Sequence, residues 1–206
     1  MNETVNEKIK EIKRAFREIM NGVTASSMRQ KGMEYKINWG ASIVHLRTMA
    51  NEYGQDYDLA IALWKEDIRE CKILATMLMP ASQIPEEIAG LWLEQIHSVE
   101  LVEMLAFNLV QYMEAAPRLA YQWMASEHPL YQICGFHVLS RLFLQGKEPN
   151  DRGINEFLDQ AIVALQSNNI SLRHATLNCV RRFVALDEAY AKMANNALLK
   201  LHLDIF

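Results

Sequence analysis

Residues 40–78 read GASIVHLRTMANEYGQDYDLAIALWKEDIRECKILATML, and this run decides the fold. Ser42 is placed to cap a helix carrying Ile43, Leu46, Met49, Ala50 and Tyr53 on one stripe, and Gly54 stops it. Asp56 or Asp58 caps a short second helix through Leu59, Leu63 and Trp64. Ile68, Cys71, Leu74, Ala75 and Leu78 define a third, closed by Pro80. Three short amphipathic helices with tight turns between them are the pattern of a helical array.

Outward from this run the theme continues. Towards the N-terminus, Val5, Ile9, Ile12, Phe16 and Ile19 fall on one helical face. Lys8, Lys10, Lys13, Arg14 and Arg17 fill the remaining positions among Glu3, Glu7, Glu11 and Glu18, which reads as a solvated face. Asn21-Gly22 ends that helix. Thr24 to Gln30 reads as a polar segment and Gly32 to Trp39 as a connector. Towards the C-terminus, Pro85, Ser98, Pro117 and Pro129 each open an apolar-periodic segment. Gln145 to Gly153 reads as the longest polar connection. Three further helices follow, over Ile154 to Leu165, Ser171 to Phe183 and Asp187 to Leu203. No stretch alternates cleanly enough for a strand, and about eleven helices result. Pro85 and Pro117 open helix pairs 32 residues apart, within the range of helical repeats. The expected fold is all-α, one domain over residues 1–206 of stacked antiparallel helix pairs; an irregular bundle is the alternative.

Composition narrows the chemistry. Half of the 206 residues are apolar, and eight Gly and five Pro are too few for a turn-rich β protein. The net charge of −4 opposes a surface that grips nucleic acid everywhere, so any DNA contact must be a local basic patch. Cys71, Cys134 and Cys179 lie far apart inside apolar patterns and give neither a disulfide framework nor a zinc signature. The histidines are scattered, and no metal or cofactor is expected. No phosphate loop or nucleophile elbow occurs. The start of the chain, with Asn2, Glu3, Glu7 and Lys8, carries no apolar signal region, and no run is long enough to span a membrane. A cytoplasmic location is expected. Trp64, Trp92 and Trp123 fit core stripes; Trp39, in the connector, is the one considered for stacking.

Gly40-Ala41-Ser42-Ile43, Leu46-Arg47, Leu59 to Trp64 and Ile68 to Ala75 together resemble the DNA alkylation repair family. Its Gly-Val-Ser…Leu-Arg…Leu-Ala-x-x-Leu-Trp…Glu-x-Arg-x-Leu-Ala run has the same spacing over about 36 residues. The resemblance implies a right-handed superhelix of HEAT-like, armadillo-like helix pairs with a basic concave face for duplex DNA. It also implies excision of cationic N3- and N7-alkylpurines. An alkylated purine leaves readily because it already carries positive charge. A carboxylate then stabilises the oxocarbenium-like sugar, aromatic faces stabilise the cation, and an arginine holds the phosphate.

The same resemblance shows where this chain departs. The family's Trp-Asp-x-x-Asp segment falls on Val99-Glu100-Leu101-Val102-Glu103, so the aromatic becomes Val99 and the carboxylate becomes Glu103. The family's arginine falls on Ile133 and its second aromatic on Asn178. Glu103 is the one candidate catalytic residue left, and as one of several acids with Glu94, Glu100 and Glu114 it also reads as a solvated helix residue. Glu66 and Glu70 lie four apart; Glu70, at the family's framework glutamate, reads as structural. Arg173, Arg181, Arg182 and Lys192 are the candidate DNA contacts. Two functions follow: a repair protein weak or inactive in base excision that binds duplex DNA weakly, or a non-catalytic helical scaffold for a protein partner or an unusual DNA structure.

Overall fold

In the computed structural model, which describes residues 3–198, side-chain caps set the helix boundaries. Ser42 Oγ accepts from His45 N, Asp56 Oδ1 from Leu59 N and Ser98 Oγ from Leu101 N. Asn21, Asn150 and Asn169 do the same for Thr24, Gly153 and Leu172. Each satisfies a backbone donor that the first helical turn leaves unpaired.

The helices are α1 (Glu3–Glu18), α2 (Gly22–Gln30), α3 (Ile43–Tyr53), α4 (Tyr57–Trp64), α5 (Arg69–Leu78), α6 (Glu86–Glu94) and α7 (Val99–Asn108). A 3₁₀ turn, Val110–Tyr112, precedes α8 (Ala116–Met124), α9 (Pro129–Leu144), α10 (Asp151–Leu165), α11 (Ile170–Val184) and α12 (Glu188–Leu198). The described residues contain no strand, only one isolated bridge between Ile37 and Ile68. None of their helices is long and apolar enough to cross a membrane.

Four expectations need correction. Thr24 to Gln30 is helical, because Asn21 both follows α1 and caps α2; Ala25 is the one buried residue of α2, which left the sequence no apolar stripe to show. The helix expected from Ile154 begins at Asp151, so the connection from Gln145 ends at Asn150. The longer connection is residues 31–42, between α2 and α3. The cationic face of α1 is not wholly solvated: Lys8 pairs with Asp56 at 2.8 Å and Lys13 with Glu66 at 2.5 Å, against the start of α4 and the turn after it. The expected continuation of the last helix through Leu203 lies outside the described residues.

Packing forms two compact units, one through Leu109 and one from Val110. In the first, α4 packs on α5, and α5 also contacts α3 and α7, as alternate helices of a stack do. Ile12, Phe16, Leu46, Leu59, Leu63, Leu74 and Leu78 are fully buried there, and Trp64 is almost so. In the second unit α9 lies against α8 and α11. Its core is aromatic, with Phe157 within 6.4 Å of Phe136, 5.4 Å of Phe143 and 5.0 Å of Phe183 between ring centroids.

His137 sits on α9 at 8% exposure, and burial pushes its pKa down from 6.5 to about 4. The folded state therefore resists protonation that the unfolded chain accepts. Stability is full above pH 6.5 and falls as pH drops towards 4. The loss expected between pH 7 and pH 5 is about 2 kcal/mol. Urea midpoints at the two pH values check this. His137→Leu should flatten the dependence, and an unchanged dependence would assign it to another group.

Candidate functional site

The family's chemistry points to the start of α7, and the structure builds a buried ion cluster there. Arg69, the first residue of α5, donates from Nε to Glu100 Oε2 at 2.8 Å and from Nη2 to Glu100 Oε1 at 2.5 Å. Its Nη1 donates to Glu70 Oε1 at 3.1 Å and to the Ala41 carbonyl at 3.0 Å. Glu70 in turn accepts from the backbone N–H groups of Ala41 and Trp39. Tyr35 hydrogen-bonds Ser98 Oγ at 2.7 Å and donates to Glu100 Oε2 at 2.9 Å. Arg69 is 1% exposed and Glu70 0%, so water contributes almost nothing.

The electrostatics follow from that geometry. Burial opposes charge on Arg69, but the hydrogen bonds and charge of Glu100, and then Glu70, hold its pKa above the ordinary arginine value. Burial and the Glu100 charge raise the Tyr35 hydroxyl, which stays a neutral donor. The cluster ties residues 31–42, the start of α5 and the first turn of α7 together. Glu70 is the framework residue expected, and Glu66 is held separately by Lys13. Glu100 is a structural anion rather than one of the free acids that the sequence placed near Glu103. Sequence reasoning did not single out Tyr35; its place in a connector gave no pattern to detect.

Glu103 lies one turn beyond Glu100 and is half-buried. Burial, and then the negative charge of Glu100, raise its pKa. Both act against the ionised form, which is the form an oxocarbenium-like sugar requires. Val99 is the first residue of α7 and half-buried.

In the second unit Ile133 is fully buried on α9, whereas Asn178 is exposed on α11. The basic candidates separate. Arg173 is half-buried and donates from Nη1 to the Ser167 carbonyl at 2.6 Å, so it braces the start of its own helix. Arg181 and Arg182 are exposed in the last turn of α11. Nine residues, about two and a half turns, put Arg173 and Arg182 on opposite sides of that helix. Lys192 is exposed and pairs with Glu188 at 2.8 Å. Trp39 is half-buried, with its ring 5.6 Å from Phe16. Cys71, Cys134 and Cys179 are buried thiols, and the described residues hold no cluster of three or more metal-ligating side chains.

Residues 12–151 match the family model described as DNA alkylation repair enzyme. A search of curated proteins finds no match. A solved structure is similar over 93% of this chain and 82% of its own, at a TM-score of 0.81 and 13% identity. It is described as representing a new family of proteins related to the HEAT-like repeat DNA glycosylases with affinity for branched DNA structures. This similarity establishes the all-α HEAT-like fold.

Proposed function

This chain belongs to the DNA alkylation repair enzyme family, and from that premise we propose that it binds branched DNA without excising bases. The observation that carries the proposal is the state of the positions that the family uses for chemistry. Ile133 is sealed in the core where a phosphate-holding arginine is expected, and neither Val99 nor Asn178 offers an aromatic face. Glu103 keeps a carboxyl, with its pKa raised by burial and by the charge of Glu100. Removing the partners of a catalytic unit leaves the remaining member with little to act through. The affinity for branched DNA described for the structural relative supplies the ligand class.

On this reading contact is electrostatic and limited. Arg181 and Arg182 present solvent-exposed guanidinium groups, with Arg173 and Lys192 as the remaining candidates. Four phosphate contacts give a slope of log affinity against log salt no steeper than about −4. The test is titration of a four-way junction and a duplex of the same arms at several salt concentrations. The junction should bind more tightly, and Arg181→Ala with Arg182→Ala should flatten its slope by about 2. Methylated duplex incubated with the same protein should release 7-methylguanine no faster than spontaneous depurination. Equal affinity for duplex and junction, or release that Glu103→Gln abolishes, would overturn the proposal.

A further inference from the structure

A cleft of about 420 Å³ opens among α4, α5 and α6, on residues that the DNA reading does not use. Its size suits a small ligand. Trp64 and Trp92 line it, stacked face to face with centroids 4.1 Å apart and planes within 2°. Both are 4% exposed, and Trp64 Nε1 donates to Gln95 Oε1 at 2.8 Å, so the ring pair is fixed in place. Ile61, Ile88 and Leu91 supply apolar walls, and Leu91 is 48% exposed.

One group stands out against these walls. Lys72, half-buried on α5, holds its ammonium 4.9 Å from the Trp64 ring centroid and donates to the Trp64 carbonyl at 3.1 Å. Both contacts orient the cation, yet neither neutralises it. Among the described residues no carboxylate comes within ion-pair distance of it. Lys65, exposed and also lining the cleft, adds a second positive charge, and no carboxylate among the described residues forms an ion pair with it. A half-buried ammonium normally finds an anion, because desolvation without one is costly. Burial acts against the Lys72 charge, and the Asp67 carboxylate, beyond ion-pair distance, offsets this only in part; a bound anion would relieve the rest.

We propose that this cleft binds a small organic anion, a carboxylate on an apolar body, with the carboxylate on Lys72 and the body between Ile61, Ile88 and Leu91. A nucleobase fits less well, because the flat faces of Trp64 and Trp92 already cover one another. The two lysines and the absence of an acid in the lining favour an anion over a neutral apolar ligand. The site is independent of DNA binding, so failure of either proposal leaves the other standing.

The probe is 4-phenylbutyrate, with 4-phenylbutyramide as its neutral counterpart. Binding is read from the indole N–H signals of Trp64 and Trp92 and by calorimetry. The acid should shift both signals saturably and bind more tightly than the amide. Lys72→Gln should weaken the acid about tenfold or more, the loss of one charge-assisted hydrogen bond, while leaving the amide unchanged. Lys72→Arg should restore most of the difference. Leu91→Glu, at the exposed rim, gives a second variant that should weaken the acid without disturbing the core, and unchanged thermal melts establish that both variants fold. Equal binding of acid and amide, or an unaffected Lys72→Gln, would overturn the proposal. So would binding of acetyl-Leu-Asp-amide without binding of the free acid, which would make the cleft a peptide site. Absence of binding by all three probes would overturn it as well.

Discussion

Arg69→Met should lower the unfolding free energy by about 3–5 kcal/mol, the range seen when one partner of a buried ion cluster is removed. The side chain is 1% exposed and makes two hydrogen bonds to Glu100, one to Glu70 and one to the Ala41 carbonyl. Methionine fills a similar volume but leaves two carboxylates facing each other without a cation. Glu70 keeps its two backbone donors, and Glu100 keeps Tyr35. Neither set supplies a positive charge. Urea denaturation at pH 7 measures this. Arg69→Met combined with Glu70→Gln and Glu100→Gln should recover much of the loss, because a neutral cluster has no unpaired charge to bury. A loss under about 1 kcal/mol in the single variant would be the size of an exposed pair. It would show that water reaches the cluster.

Much of the first unit was legible because caps and apolar spacing are local. Ser42, Asp56, Ser98 and Gly54 do what their positions in the sequence imply, and Trp64 and Leu74 are buried as their stripes require. Helix α2 was not legible because its neighbours bury it so little that no periodicity is imposed. The role of Glu70 was visible from the spaced framework around it. The role of Glu100 was not, since its partner Arg69 lies 31 residues away and no local pattern links them. The basic candidates illustrate the same limit. Sequence proximity groups Arg173 with Arg181 and Arg182, but helical geometry puts Arg182 on the opposite side from Arg173, and the Ser167 carbonyl engages Arg173. A charge can be counted in a sequence, but its availability depends on contacts that form only in the fold.

Gly40→Ala should cost about 3 kcal/mol or more, and the comparison with Gly54→Ala shows why. Both glycines have left-handed backbone, with φ of 72° and 68°. Alanine pays about 1–2 kcal/mol for that conformation at either position. At Gly54 the added methyl meets nothing within 4 Å. At Gly40 it would land on the Asn21 carbonyl oxygen, well inside contact distance, and 2.8 Å from Ala25 N. Those atoms belong to backbone, in the cap and first turn of α2, and cannot rotate aside as a flexible side chain can. They are also fixed by hydrogen bonds, from Asn21 N to the Trp39 carbonyl at 2.8 Å and from Ala25 N to the Asn21 carbonyl at 3.0 Å. Relief therefore requires residues 39–41 to lift away from α2, which lengthens the bonds from Trp39 N and Ala41 N to Glu70. The overpacking adds about 1–3 kcal/mol beyond the conformational cost. Urea midpoints of the two variants, measured side by side, should differ in that direction, with Gly54→Ala losing only the conformational cost of about 1–2 kcal/mol. Equal losses would mean that the connector does not cross α2 this closely, and that the glycine opening the decisive stretch serves only its own backbone angle.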